Sequence, residues 1–214
     1  IGPLLPPEIV TPGVSFACVV HGVLEPNECL ELLEHINKKG YTPALVEIGG
    51  GTQILRPEYR NGHRCIVDST ELSSYLLEVL RPHLPEIFTN FKQPVKLDDM
   101  NERCRFLCYT PGQEFEAHLD GCYRRPVGHP RYGARSCITA QVYLHDVPIE
   151  NGGSTTFLGS NDHMHFLGAI DNQLSCQPRC GSVLLFSQDL NHEGSILVEG
   201  LKYTMRTEAM YINI

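Results

Sequence analysis

The first half of the chain contains a segment with apolar residues at helical spacing. Leu30, Leu33 and Ile36 fall on one helical face, and the pattern ends at Gly40. Asn27 precedes this face and belongs to the residue types that cap helices well, because its side chain accepts a hydrogen bond from a free backbone N–H group. We therefore predict a helix that Asn27 caps and Gly40 ends.

A second helix is predicted to begin at Asp68. The spacing from Asp68 to Glu71 is that of a capping box, in which the two residues satisfy each other's backbone N–H groups. Leu72, Leu76 and Leu80 then share one apolar face. Both predicted helices therefore lie in the first half of the chain.

Most of the remaining sequence consists of short runs rich in Val, Ile, Phe and Tyr, separated by turn residues such as Pro-Gly and Gly-Gly. Such runs are typical of strands in a β-sandwich or barrel. The sequence therefore predicts a mainly β fold with supporting helices packed on one sheet. The predicted strands are 16–20, 103–109, 114–119, 136–144, 154–158, 165–170, 182–186 and 201–212.

The length of 214 residues suits a single domain. We predict an extended, proline-rich lead-in at 1–13, helical support and substrate loops at 14–102, and the β core at 103–214. With 17 basic and 25 acidic residues the formal net charge is −8, so the overall field does not favour nonspecific binding to nucleic acid. No apolar run approaches the roughly 18 residues of a membrane-spanning helix. No membrane partner is expected, and the oligomeric state is left open.

Cysteine usage bears on the compartment. The nine cysteines are an odd number with irregular spacing, and the chain start lacks the charged and apolar regions of a signal peptide. We therefore expect an intracellular protein, cytoplasmic or nuclear. Cys176 and Cys180 form a lone pair without the second pair of a zinc site. His163 and His165 are interpreted as exposed residues rather than a second metal pair.

The candidate chemistry begins with His118 and Asp120, at the end of a predicted strand. The period of two in a strand places both side chains on the same face. A third candidate, His192, follows another apolar strand. Two imidazoles and one carboxylate can bind one face of a non-haem Fe(II) and leave positions open for oxygen chemistry. The same three residues also suit a zinc hydrolase, or they are unrelated polar residues.

The last predicted strand adds a basic face to this site. Lys202, Thr204 and Arg206 alternate along the strand and so share one face. An inward lysine in a β-barrel is costly unless it is paired, so its natural partner is a ligand carboxylate. A zinc hydrolase would leave Lys202 unexplained.

With these motifs the sequence resembles the Fe(II)- and 2-oxoglutarate-dependent dioxygenases, in their prolyl 4-hydroxylase-like branch. The resemblance covers about half of the chain and implies a double-stranded β-helix, or jelly roll, with iron at one open end. The matching segments are RFLCYTPG at 105–112, HLDG at 118–121, ITAQVYL at 138–144, GG at 152–153, GSVLLF at 181–186, HEG at 192–194 and GLKY at 200–203.

The resemblance also implies cofactors and residue roles. The cofactors would be Fe(II), 2-oxoglutarate as co-substrate and O2, with ascorbate as a candidate reductant. Lys202 would bind the distal carboxylate of 2-oxoglutarate with help from the Thr204 hydroxyl, and Arg206 is the competitor for this position. Tyr109 and Tyr143 match tyrosines that approach the co-substrate. The implied iron ligands are His118, Asp120 and His192.

Two arginine-rich loops are candidates for binding the substrate. One is the loop 49–64, which contains Arg64, and the other follows Asp120 directly and must therefore lie near the mouth of the site. The alternative interpretation is two solvated loops. As substrate-binding residues we predict Tyr123, Arg124, Arg125 and Arg64.

The resemblance implies hydroxylation of a prolyl residue in a protein or peptide, because the matching relatives are prolyl hydroxylases. A nucleobase or a small metabolite is the alternative substrate, and nucleic acid is not excluded by the local arginines. A non-catalytic module that binds 2-oxoglutarate or senses oxygen is the alternative of another class.

Overall fold

The computed structural model describes residues 2–3, 16–49, 51–89, 93–159 and 173–214. Within them, the two α-helices are α1 (Pro26–Lys39) and α2 (Thr70–Leu80). The strands are β1 (Gly2–Pro3), β2 (Ala17–Val20), β3 (Thr42–Pro43), β4 (Val46–Glu47), β5 (Gln53–Ile54), β6 (His63–Asp68), β7 (Ile87–Phe88), β8 (Val95–Met100), β9 (Arg103–Tyr109), β10 (Phe115–His118), β11 (Arg135–Tyr143), β12 (Thr155–Leu158), β13 (Gln173–Cys176), β14 (Val183–Ser187), β15 (His192–Gly194) and β16 (Lys202–Asn213).

The strands form a large antiparallel sheet and a smaller one. The large sheet has the order β1-β2-β14-β11-β16-β9-β6-β3. In addition, β8 pairs with the second half of the long strand β16, and β7 pairs with β8. The smaller sheet has the order β10-β15-β12-β13, and β4 and β5 form a separate hairpin. This arrangement confirms the predicted mainly β fold with a jelly-roll core.

Strand β11 shows how the large sheet separates core from site. Its alternate residues Ile138, Ala140 and Val142 belong to the main hydrophobic core, which also contains buried residues of both helices. The intervening residues Thr139 and Gln141 point to the other face, where they donate hydrogen bonds to Asp120 and Thr155. The period of two therefore gives this strand an apolar face toward the helices and a polar face toward the smaller sheet.

The first helix differs from its prediction in its cap and in its buried face. Glu25 is the N-cap and shares a capping box with Glu28, because Pro26 occupies the first turn, so Asn27 lies inside the helix. Cys29 is buried, whereas Leu30 is 57% exposed. The helix therefore begins earlier than predicted and is rotated so that Cys29 replaces Leu30 in the core.

The predicted start of the second helix was also wrong. Ser69 caps α2 by accepting a hydrogen bond from the Leu72 backbone N–H group. Asp68 instead ends β6 and forms a two-pronged ion pair with Arg103. The predicted capping box therefore coincides with a strand end, where a side chain on the neighbouring strand competes for the carboxylate.

Strands at both ends of the second helix were missed. Seven predicted strands occur close to their expected bounds, but β6 and β8 on either side of α2 were not predicted. The other strands that were not predicted are short, namely β1, β3, β4, β5, β7, β13 and β15. Both β6 and β8 carry charged residues that obscure the alternation. The predicted strand 165–170, the histidines His163 and His165, and most of the lead-in 1–13 lie outside the described residues.

Candidate active site

His118 and His192 are neighbours across the smaller sheet. They are register partners in the antiparallel pair β10–β15, and their ring centroids lie 4.4 Å apart. The Nδ1 atom of His118 lies 2.6 Å from the Glu116 carbonyl oxygen, and that of His192 lies 2.9 Å from the Leu190 carbonyl oxygen. Because a carbonyl accepts a hydrogen, each Nδ1 carries the proton and each Nε2 keeps a free lone pair.

Asp120 completes this cluster from the loop that follows β10. Its Oδ1 lies 3.8 Å from the His118 Nε2, and its Oδ2 lies 4.0 Å from the His192 Nε2. The Thr139 hydroxyl donates to Oδ2 at 2.5 Å, and the Arg206 guanidinium contacts Oδ1 at 2.9 Å. These two contacts fix the carboxylate, so its oxygens face the two imidazoles.

The protonation states of the three residues suit metal binding. Burial lowers the pKa of His118 to about 4, aided by the neighbouring His192, and burial also lowers the pKa of His192. Burial alone would raise the pKa of Asp120, but Arg206 and the two histidines lower it to about 2. At neutral pH the cluster therefore presents two neutral imidazoles and one carboxylate.

The donor set fits a divalent metal. One ligand atom from each of His118, Asp120 and His192 lies within 4.8 Å of the others, a spacing that one ion between them can satisfy. Two nitrogens and one carboxylate form the facial triad that non-haem Fe(II) prefers. Within the described part of the chain this is the single such group of three His, Cys, Asp or Glu residues.

The triad opens into a cavity that also contains a buried lysine. The Lys202 side chain lies at the start of β16, and the residue is 4% exposed. Its Nζ has one hydrogen bond, a long one of 3.5 Å to the Ser154 carbonyl oxygen, and the nearby Thr204 hydroxyl has no partner among the described residues. Burial lowers the pKa of Lys202 to about 8. An unpaired ammonium beside an unsatisfied hydroxyl fits a ligand carboxylate.

Arg206 is already engaged by protein carboxylates. Besides the contact with Asp120, its guanidinium lies 3.5 Å from the Glu208 Oε1. Among the described residues, Lys202 has no carboxylate partner within ion-pair distance. The geometry therefore favours Lys202 over Arg206 as the group available to a bound carboxylate.

The two predicted tyrosines lie in different positions. Tyr109 is the register partner of Lys202 and lines the cavity, with the Lys202 Nζ 5.3 Å from its ring centroid. Tyr143 is fully buried behind the cavity wall and donates a hydrogen bond to the Thr155 hydroxyl, which lines the cavity. Tyr143 therefore reaches the cavity through Thr155, and its approach to the co-substrate stays a prediction.

Of the predicted substrate-binding residues, Arg125 requires the clearest correction. It is 3% exposed and forms ion pairs with Asp99 at 2.8 Å and Glu102 at 2.9 Å, so it fastens its loop to the protein. Tyr123 and Arg124 are exposed and do not line the cavity. Arg64 donates to the Gln53 side chain and also lies outside the lining. None of the four faces the triad directly.

Arg60 was not predicted as a site residue, but it lines the cavity together with Phe115. The Phe115 ring stacks on His118 with a centroid distance of 3.7 Å, and the Arg60 guanidinium carbon lies 4.4 Å from the same ring centroid. The arginine-rich segment was a signal for such a residue, but three arginines occur in it and no local pattern separates them. The cavity is lined by Arg60, Leu107, Tyr109, Phe115, His118, Asp120, Gln141, Thr155, His192, Glu193, Gly194, Lys202, Thr204 and Arg206.

Comparison with known proteins agrees with this geometry. The 2OG-Fe(II) oxygenase superfamily model matches residues 104–207, which contain all of the triad and Lys202. No curated protein sequence matches the chain. The described residues contain no helix that is long and apolar enough to cross a membrane.

Solved structures with the same fold include three prolyl hydroxylases. The collagen prolyl hydroxylase of Paramecium Bursaria Chlorella virus-1, in complex with 2OG, is 19% identical, with 92% of this chain and 96% of that chain covered and a TM-score of 0.57. The Pseudomonas putida prolyl-4-hydroxylase is 17% identical, with coverages of 97% and 96% and a TM-score of 0.60. The Trichoplax adhaerens prolyl hydroxylase, in complex with a peptide of hypoxia inducible factor, is 16% identical, with coverages of 95% and 84% and a TM-score of 0.65. Residues 104–207 therefore match the 2OG-Fe(II) oxygenase superfamily, and the chain has the fold of these three prolyl hydroxylases.

Proposed function

We propose that this protein hydroxylates a prolyl residue of a protein or peptide, with Fe(II) and 2-oxoglutarate as cofactor and co-substrate. The observation that carries the proposal is the triad His118, Asp120 and His192 in one cavity with Lys202, a buried cation that lacks a carboxylate partner among the described residues. The three prolyl hydroxylases with this fold support the prolyl substrate.

In this proposal the triad residues hold the iron. The Glu116 and Leu190 carbonyls keep both Nε2 atoms unprotonated, and Thr139 and Arg206 orient the Asp120 carboxylate. Bound iron and 2-oxoglutarate supply the oxidation, in which substrate C–H, O2 and 2-oxoglutarate give C–OH, succinate and CO2. No side chain has to act as general acid or base in that stoichiometry.

The remaining residues position the co-substrate. Lys202 donates charge-assisted hydrogen bonds to the distal carboxylate of 2-oxoglutarate, and Thr204 supplies the neutral donor beside it. Tyr109 covers this end of the cavity, and Tyr143 acts behind the wall by orienting Thr155. The buried setting strengthens each contact, because few water molecules compete for it.

The test is mass spectrometry of proline-containing peptides incubated with the protein, Fe(II), 2-oxoglutarate, O2 and ascorbate. The expected result is the gain of one oxygen on proline, together with stoichiometric succinate. Oxidation confined to a nucleobase, a small metabolite or a non-prolyl residue would overturn the prolyl assignment. Absence of succinate with every substrate would instead favour a binding module.

A further inference from the structure

Arg60 is a second cation that lines the cavity, and it has no role in the proposed chemistry. Among the described residues its buried Nε atom has no hydrogen-bond partner, and the guanidinium forms no ion pair with a carboxylate. Its neighbours, the Phe115 ring and the Tyr109 hydroxyl, carry no full negative charge, so burial still disfavours the cation. A ligand that supplies a carboxylate would remove this cost.

The segment that carries Arg60 is tied to strand β10 on both sides. The Glu116 backbone N–H donates to the Tyr59 carbonyl, and the Glu114 backbone N–H donates to the Asn61 side chain at 2.7 Å. Arg60 itself forms an isolated bridge with Phe115. The backbone of Arg60 is therefore held at the cavity wall, and the guanidinium lies over the Phe115 ring, so less conformational freedom is lost when a ligand binds.

Gly62 allows this segment to approach the cavity closely. A Cβ atom at this position would lie 2.6 Å from the Tyr109 ring, which is closer than two carbons can approach. Any other residue would push the segment and its arginine away from Tyr109. The close packing of this segment on Tyr109 therefore requires glycine at position 62, because glycine has no side chain.

Arg60 is available to the primary substrate because the other charged groups of the cavity have partners. Arg206 is paired with Asp120 and Glu208, and Glu193 accepts a hydrogen bond from Ser195. Of the two carboxylates of 2-oxoglutarate, one is assigned to Lys202 in the proposed function, and the other would meet the net positive charge of Fe(II) and one aspartate. No anion of the cofactor set remains for Arg60.

We propose that Arg60 selects substrates that carry a carboxylate close to the hydroxylated residue. The carboxylate comes from an Asp or Glu side chain next to the target proline, or from the C-terminus of the peptide. Arg60 is then a specificity-determining residue, because its planar guanidinium can form two parallel hydrogen bonds with one carboxylate. This inference rests on the proposed function for the identity of the target residue.

The test uses four sets of proline peptides with random flanking residues. Two sets are amidated at the C-terminus and carry either Asp and Glu or Asn and Gln, and two neutral sets have either a free or an amidated C-terminus. We expect the wild type to favour carboxylate-bearing peptides by about 10- to 100-fold in kcat/KM, as for one hydrogen bond to a charged group. The favoured set shows whether the side chain or the terminus supplies the carboxylate.

Variants then assign this preference to Arg60. Arg60→Met should abolish the preference, Arg60→Lys should retain part of it, and Arg60→Glu should favour peptides with Lys instead. The control Arg81→Met removes an arginine that pairs with Glu86 on the surface and should keep the preference. Retained metal binding and an unchanged thermal midpoint show that each variant is folded.

Two results would overturn the role of Arg60. One is a preference that persists in Arg60→Met, and the other is a loss of 2-oxoglutarate binding in Arg60→Met as large as in Lys202→Met, which would assign Arg60 to the co-substrate. Binding of the same peptides, measured in the Mn(II) and 2-oxoglutarate complex, separates this inference from the proposed function. Arg60-dependent binding of acidic peptides without proline oxidation would support the role of Arg60 and reject the prolyl function. Proline oxidation without a charge preference would support the prolyl function and reject the role of Arg60.

Discussion

His118 lies directly opposite His192 across the β10–β15 pair, with the two ring centroids 4.4 Å apart. The hydrogen-bonded register of the smaller sheet thus brings together two residues that are far apart in the sequence. Phe157 is the partner of His192 on its other side and packs beside it in the wall of the site. Strand pairing therefore sets the placement of the two histidines, and Asp120 joins them from the loop that follows β10.

Replacing either histidine should remove metal binding without unfolding the protein. Loss of a residue that merely orients a ligand typically lowers metal affinity about 10- to 100-fold, so loss of the ligand itself should exceed that range. Calorimetric titration of His118→Ala and His192→Ala with Mn(II) measures the loss, and circular dichroism checks the fold. Wild-type succinate formation by His192→Ala would contradict the assignment.

Thr139→Val should weaken metal binding although Thr139 is not a ligand. The substitution removes the hydrogen bond to the Asp120 Oδ2 but keeps the shape of the side chain. We expect a fall in metal affinity of about 10- to 100-fold, measured by the same titration. Thr207→Val is the matched control, because the Thr207 hydroxyl donates to the Asn101 carbonyl outside the cavity lining. Equal affinities of the two variants would argue against a role for Thr139.

The buried Lys202 should make the ligand-free protein more stable as the pH rises from about 8 to 10.5. Its pKa is lowered from 10.5 in the unfolded chain to about 8 in the folded protein, because burial disfavours the ammonium. The unfolded state therefore binds more protons in this window. The free energy of unfolding rises by roughly 3 kcal/mol across it, and this gain is lost as the pH falls back through about 8. Urea unfolding of the wild type and Lys202→Met measures the difference between their pH profiles. A parallel pair of profiles would contradict the lowered pKa.

Binding of 2-oxoglutarate should show the opposite dependence on pH. The co-substrate needs the charged ammonium, so its affinity should fall as the pH rises above about 8. Lys202→Met should raise the apparent KM for 2-oxoglutarate far more than the KM for the peptide. If Arg206→Met has this effect and Lys202→Met does not, the anchor is Arg206.

Substitutions of the adjacent residues Arg125 and Arg124 should have very different effects on the free energy of unfolding. Arg125→Met removes a buried partner of Asp99 and Glu102, although Asp99 keeps its contact with Arg131, so it should lower the free energy of unfolding by about 1.5–3 kcal/mol. Arg124 is exposed, so Arg124→Met should change it by less than about 0.5 kcal/mol. Denaturant titration measures both values, and equal stabilities would contradict the role of Arg125 in fastening the loop.

Local sequence patterns were informative where the signal lies within one element. The alternation in β16 correctly places Lys202, Thr204 and Arg206 in one cavity, and Gly40 ends the first helix as predicted. Helix starts were less predictable. Asp68 and Ser69 are adjacent and of similar capping ability, so propensity does not decide between them. The first helix begins at Glu25 although Asn27 is the better capping type, because Pro26 occupies the first turn.

Pairing between distant elements was beyond the reach of these patterns. The sequence by itself determined the mainly β fold, the motifs of the superfamily and the candidate triad, because side-chain periodicity and residue chemistry are local properties. Only the tertiary structure decided that Arg125 is an internal ion-pair partner, that Tyr143 lies behind the cavity wall, and that Arg60 enters the cavity. Charge and burial at these positions depend on residues contributed by other strands, and a single segment of sequence carries no information about which strand will lie beside it.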